Sequence, residues 1–176
     1  MRIFAYLCRL KTKNIFIEMS SQTDFTLEER EVSFPPAHTA EHLLNQTMKR
    51  MFGCERSFNA HIERKKSKMS FRLDQKPSRQ DEKEIQREMD RLIAEDLPVT
   101  FEFVTQDELP EGVTLNRLPD GASDTIRLVR IGDYDVCPCI GKHVRSTAQI
   151  GRFEMLGTNW DEHERVFRVR FKVLSS

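Results

Sequence analysis

Two short clusters far apart in the chain carry side chains that can hold a metal ion. One is His38-Thr39-Ala40-Glu41-His42 and the other is Cys139-Ile140-Gly141-Lys142-His143. Each pairs two ligand types at i and i+4, and together they supply three imidazoles and one thiolate. On a helix those positions share a face one turn apart, so His38 and His42 can reach a single ion. The donor set suits zinc, which accepts imidazole nitrogen and soft sulfur in a tetrahedral arrangement. Either pair alone is a weak signal, because capping and core roles account for such spacings as readily. Together they are stronger, taking three of the five histidines and one of the four cysteines.

The first pair needs a helix to align it. Phe34-Pro35-Pro36-Ala37 reads as a helix start, and Leu43, Leu44, Met48 and Met51 continue an apolar stripe behind the histidines. The second pair follows Cys137-Pro138 and contains Gly141, which predicts a loop rather than a helix. Between the clusters, Ser57 to Asp74 reads as a hairpin whose Ile62, Met69, Phe71 and Leu73 alternate with polar neighbours. Its turn carries Arg64-Lys65-Lys66-Ser67-Lys68. Ser78 is placed to cap a second helix, with Asp81, Glu82 and Glu84 near its first turn and Ile85, Met89, Leu92 and Ile93 on its buried face. Pro98 ends that helix and Val99 to Val104 alternates as a strand. Glu108 to Ala122 reads as a connection, with a short element expected at Val113 to Leu118. Further strands are expected at Thr125–Ile131, Gln149–Leu156 and Arg165–Leu174. In the last, Phe167, Val169, Phe171 and Val173 share one face and Arg168, Arg170 and Lys172 the other. The sum is an α+β fold, a mostly antiparallel sheet packed against two main helices, with the metal site between a helix and a loop.

At 176 residues the chain can bury a real core. Lysine plus arginine and aspartate plus glutamate both total 28, so no global field attracts nucleic acid and any such contact must be a local patch. Nothing approaches the run of ~20 apolar residues that a membrane span needs. Irregularly spaced cysteines without a secretory signature point to reduced thiols and a cytoplasmic setting.

The flanks of the two clusters carry a further signal. His38-Thr39-Ala40-Glu41-His42-Leu43-Leu44 resembles the His-Thr-Ala-x-His-Leu-Leu signature of the alanyl-tRNA synthetase editing domain and its free-standing alanyl-tRNA editing relatives, shared with the threonyl-tRNA synthetase second additional domain. Gly132-Asp133-Tyr134-Asp135 leads into Cys139-Ile140-Gly141-Lys142-His143-Val144, where that family reads Cys-Gly-Gly-Thr-His-Val. Ser146-Thr147-Ala148-Gln149-Ile150-Gly151-Arg152-Phe153 then parallels its Asn/Ser-Thr-Gly-Glu-Ile-Gly-x-Phe run. The chain departs at Ile140, Lys142 and Ala148, and Lys142 adds a charge beside a ligand position. The likeness runs from about Glu28 onward, so residues 25–176 are expected to form the editing domain. Residues 1–24 are expected to be an extension outside it, with Met19-Ser20-Ser21 as a natural alternative start. Neither the glycine-rich barrel of longer editing proteins nor the ATP-using aminoacylation domain has a counterpart here, so no ATP is expected.

What the resemblance implies is a zinc-dependent hydrolase that deacylates mischarged tRNA, with Ser-tRNA(Ala) or Gly-tRNA(Ala) as the expected substrate. His38, His42, Cys139 and His143 would be its metal ligands. Zinc with an open position polarises a carbonyl or activates water. Four protein ligands would instead close the site, which leaves open whether the ion is catalytic, substrate-positioning or structural. Thr39, His61 and Asp135 are the other candidate site groups: Thr39 beside the first ligand, His61 as a pocket group, Asp135 orienting a ligand histidine. Arg64, Lys65, Lys66, Lys68 and Lys142 are the candidate tRNA contacts, neutralising phosphates. Glu41 is a possible general base, but one residue from His42 it is expected to point off the ligand face into solvent. Cys137 is an alternative thiolate. Two other readings remain: a non-catalytic tRNA-binding module stapled by zinc, and a zinc hydrolase of another mischarged tRNA such as Ser-tRNA(Thr).

Overall fold

In the computed structural model, residues 34–111, 113 and 125–174 are described. The expected extension at residues 1–24 and all of the short element after Val113 lie outside the described residues. Helix α1 spans Pro35–Phe52, with prolines in its first turn, where the missing N–H costs nothing, and Gly53 ending it in the left-handed conformation. Lys49 and Arg50 sit in its last turn, where cations suit the helix dipole. Helix α2 spans Arg79–Ala94 and starts on the capping box expected of Ser78, which accepts from the Asp81 N–H while Asp81 accepts from the Ser78 N–H. Ile85, Met89 and Leu92 are its buried stripe.

The strands form two antiparallel sheets. β1 (Asn59–His61), β2 (Ser67–Arg72), β6 (Arg152–Asp161) and β7 (Val166–Leu174) make a four-stranded sheet in the order β1-β2-β7-β6. β3 (Val99–Thr105), β4 (Thr125–Ile131) and β5 (Asp135–Pro138) make a three-stranded one in sequence order. On the first sheet Met69 faces Val169 and Phe71 faces Phe167, and all four are buried in the core with Leu43, Leu44 and Met48 of α1. The expected strand at Gln149–Leu156 begins later: Thr147–Ile150 form a single 3-10 turn and β6 starts at Arg152. Thr147 explains the turn. Its buried hydroxyl donates to the Leu92 carbonyl and accepts from the Leu97 N–H, so this segment is tied to the end of α2 rather than to a ladder.

β5 was not expected, and it is the strand that completes the site. The turn before it is pinned to α1 by Tyr134, whose hydroxyl meets Thr47 Oγ1 at 2.9 Å. Arg50 lies over the Tyr134 ring at 4.1 Å and donates to its carbonyl. The next residue, Asp135, is thereby delivered to the ligand face of α1. Among the described residues no helix is long and apolar enough to cross a membrane.

Candidate metal centre

His38 and His42 lie on the buried face of the first turns of α1, and Cys139 and His143 lie in the loop that follows β5. One ligand atom from each falls within 4.8 Å of all the others. The structure therefore brings all four expected ligands together. Each imidazole is held from outside by its Nδ1. His38 Nδ1 is 3.0 Å from the Lys142 carbonyl, which can only accept, so this nitrogen carries the proton. His42 Nδ1 donates to Asp135 Oδ2 at 3.2 Å. Thr39 Oγ1 gives its one proton to the Pro35 carbonyl and accepts from the Val144 N–H, so its 3.3 Å contact with His143 requires Nδ1–H there as well.

All three rings thus leave Nε2 as the free donor. His38 Nε2 is 3.4 Å from the Cys139 sulfur, and His143 Nε2 is buried without a hydrogen-bond partner. A buried bare nitrogen costs about 1–3 kcal/mol unless something ligates it. Three imidazole Nε2 atoms oriented by their other nitrogen, together with one thiolate, are a donor set that fits zinc. The electrostatics agree. Burial alone would raise the Cys139 thiol, but the imidazoles of His143, His38 and His42 around it bring it down to about 3, so it is a thiolate. Burial also disfavours a charged His42, yet Asp135 and the Cys139 thiolate outweigh it and raise that imidazole to about 9, so without metal its Nε2 holds a proton that a binding ion displaces. His143, where burial dominates, falls to about 4 and stays neutral.

The remaining expected residues divide clearly. Asp135 is buried and bridges His42 to Arg56, whose guanidinium donates to the other carboxylate oxygen. Thr39 is fully buried and locks the His143 loop onto α1. His61 stands exposed on edge strand β1, bonded to Glu63 at 2.7 Å and outside the cluster. Arg64, Lys65, Lys66 and Lys68 are exposed and make no ion pair with described residues. Arg64 lies over the Phe34 ring at 5.3 Å, at the start of the ligand helix. Cys137 lies outside the cluster, and burial pushes its thiol up to about 11, the protonated form that does not bind metal.

One group was missed and one was misplaced. Arg56 follows α1 in a segment whose sequence carries no signal for its ion pair. Glu41 corrects an expectation: its carboxylate is half-buried and lies 3.7 Å from His38 Nε2, because i and i+3 adjoin on a helix. Asn45 holds its other oxygen at 3.4 Å. The H-x-x-E-H spacing, read as an i,i+3 pair with His38, gives the direction that the structure shows.

Comparison with known proteins locates this arrangement. Residues 126–169, which include Cys139 and His143, match the threonyl and alanyl tRNA synthetase second additional domain. Residues 126–169 carry the matched part of this second additional domain. It is 29% identical over 137 residues to the alanyl-tRNA editing protein AlaX-L of Pyrococcus horikoshii, covering 76% of this chain and 32% of that one. It is also similar to alanine–tRNA ligases, 32% identical to that of Halorubrum lacusprofundi over 69% of this chain and 13% of the ligase. For the Streptococcus agalactiae ligase the figures are 26% identity, 84% and 17%. The chain thus spans about a third of the editing protein's length and less than a fifth of either ligase. In this α+β fold the ligand loop lies between β5 and β6, against the first turns of α1.

Proposed function

We propose that the chain is a zinc-dependent aminoacyl-tRNA deacylase that removes serine or glycine wrongly attached to alanine tRNA, acting without ATP and in the cytoplasm. The observation that carries this reading is the convergence of His38, His42, Cys139 and the orphaned His143 Nε2 on one point, in a chain similar to an alanyl-tRNA editing protein. Zinc held there supplies a Lewis acid and lowers the pKa of a bound water. Asp135, itself held by Arg56, fixes the His42 ring, and Thr39 fixes that of His143. In this reading both are positioning groups, and no direct role falls to His61. Glu41, a partly exposed carboxylate at the rim of the cluster, is the group we assign to take the proton from the attacking water. Exposed Arg64, Lys65, Lys66 and Lys68, which make no ion pair with described residues, and exposed Lys142 are the phosphate contacts we assign for the tRNA.

The test is deacylation of seryl-tRNA for alanine beside correctly charged alanyl-tRNA, with and without a chelator. Selective, chelator-sensitive loss of serine is expected. One observation favours a second reading: four converging protein ligands close a tetrahedral site, as in structural zinc centres. Binding of tRNA by the zinc-loaded protein without hydrolysis would select that reading. Hydrolysis of Ser-tRNA(Thr) in preference to Ser-tRNA(Ala) would move the substrate instead, with Lys142 and Ile140 beside the ligands as the residues to examine.

A further inference from the structure

The three-stranded sheet carries two aromatic rings that the core does not bury. Phe101 and Phe103 on β3 are 45% and 69% exposed, and Ile140, next to Cys139, is 73% exposed. Scattered single exposures need no explanation, but Phe101 and Phe103 are alternate residues of one strand and so share one face. Phe101 pairs with Val129, and Val129 with Cys137; Phe103 pairs with Arg127, whose carbonyl accepts from the Cys139 N–H. Directly paired residues of antiparallel strands lie on the same face. The two phenylalanines therefore stand on the face that carries the Cys139 thiolate. The Phe101 ring is 6.2 Å from the His143 ring.

Charge accompanies the aromatics. The Arg127 guanidinium lies 4.0 Å from the Phe101 centroid while it donates to the Cys139 and Gly141 carbonyls, so it is fixed in place. Lys142, between those ligands, is exposed and makes no ion pair with described residues. Alternate residues on a strand stand about 7 Å apart, roughly twice the contact distance between two carbon surfaces. That spacing accommodates one flat ring between them. Aromatics interleaved with cations are the general means of holding a single-stranded nucleotide, because every base has a π-face and every linkage a negative charge.

We propose that Phe101 and Phe103, flanked by Arg127 and Lys142, form a stacking platform for the 3′-terminal base of an RNA strand whose terminal ribose lies at the metal cluster. This rests on the deacylase reading and supplies what that reading lacks, a contact for the nucleoside that bears the ester. The test uses the full chain and two acceptor-stem RNA hairpins, one with its 3′-terminal adenosine and one with that base removed and the ribose kept. Binding is read by fluorescence anisotropy.

Removing the base is expected to weaken binding to the wild-type chain by about tenfold or more, the range of single-base stacking. Phe101→Ala and Phe103→Ala should bind both hairpins with the wild-type chain's affinity for the base-less one, at unchanged zinc content, and Phe103→Trp should restore the difference. Equal wild-type affinity for the two hairpins, or none, overturns the proposal. So does a base effect that survives both alanine substitutions, or a dimer of this chain that Phe103→Ala dissolves while binding of RNA is untouched. Hydrolysis of seryl-tRNA, measured on the same preparations, reports separately on the deacylase reading. Hydrolysis without a base effect removes the platform alone, and a base effect without hydrolysis removes the deacylase alone.

Discussion

On the four-stranded sheet Phe71, Phe153, Phe167 and Phe171 are buried in the core, whereas on the three-stranded sheet Phe101 and Phe103 stand open to solvent. Phe153 and Phe171 pack ring to ring at 5.1 Å. Fully burying such a side chain contributes about 1.5–3 kcal/mol, and Phe101 and Phe103 forgo much of that. Both sheets carry exposed ion pairs, Arg130 with Glu102 on the three-stranded one, but the buried pair lies beside the metal cluster. The ion pairs of the four-stranded sheet, such as Lys172 with Glu154, lie at its surface, where they contribute little. Asp135 at the start of β5 is buried with His42 and reached by the partly buried Arg56, and losing one partner there is costly. Both sheets feed the core, the three-stranded one through Val99, Val129 and Ile131, but the three-stranded one also helps to hold an unsatisfied nitrogen, a thiolate and exposed rings in place.

Substitutions can break this division from either side. The largest effect is expected at the ligands: His42→Ala or Cys139→Ala should abolish both zinc binding and deacylation while the chain stays folded. Metal analysis by mass spectrometry beside a deacylation assay checks this, and a metal-free variant with full activity would sink the mechanism. Next, Phe171→Ala should lower the unfolding free energy by about 3–5 kcal/mol, while Phe103→Ala should change it by no more than about 0.5 kcal/mol. Urea titration of both variants reads the contrast directly; equal losses would show that the two sheets do not differ. Asp135→Asn keeps the shape but weakens the hold on His42, and should cost about 10–100-fold in zinc affinity or activity. Competition with a chromogenic chelator measures it. The smallest effect belongs to the helix cap, where Ser78→Ala should cost about 1 kcal/mol of stability and leave hydrolysis unchanged.

Much of the first sheet and both helices could be read from the sequence because their signals are local. Pro35, Ser78 and the period-2 run at Val166–Val173 each state a start or a face within a few residues. The partition into two sheets could not, since it depends on pairings such as β2 with β7 that no local pattern encodes. The four ligand types were legible from spacing and resemblance, but their orientation was not. It comes from a main-chain carbonyl at Lys142, a hydroxyl at Thr39 and a carboxylate at Asp135, of which only the side chains show in a sequence. β5 was hidden by its Pro138 and by its shortness, and Arg56 by the absence of any pattern linking it to Asp135. Glu41 was misjudged from its nearness to His42, when the neighbour that mattered was His38 one turn back.

Arg127 has a thermodynamic consequence of its own. The same guanidinium holds the carbonyls of Cys139 and Gly141 and rests on Phe101, so the ligand loop and the aromatic face share one rigid part. Binding free energies linked through a shared part are reciprocal. Whatever factor metal loading adds to the affinity of a ligand on Phe101, that ligand must add to the retention of the metal.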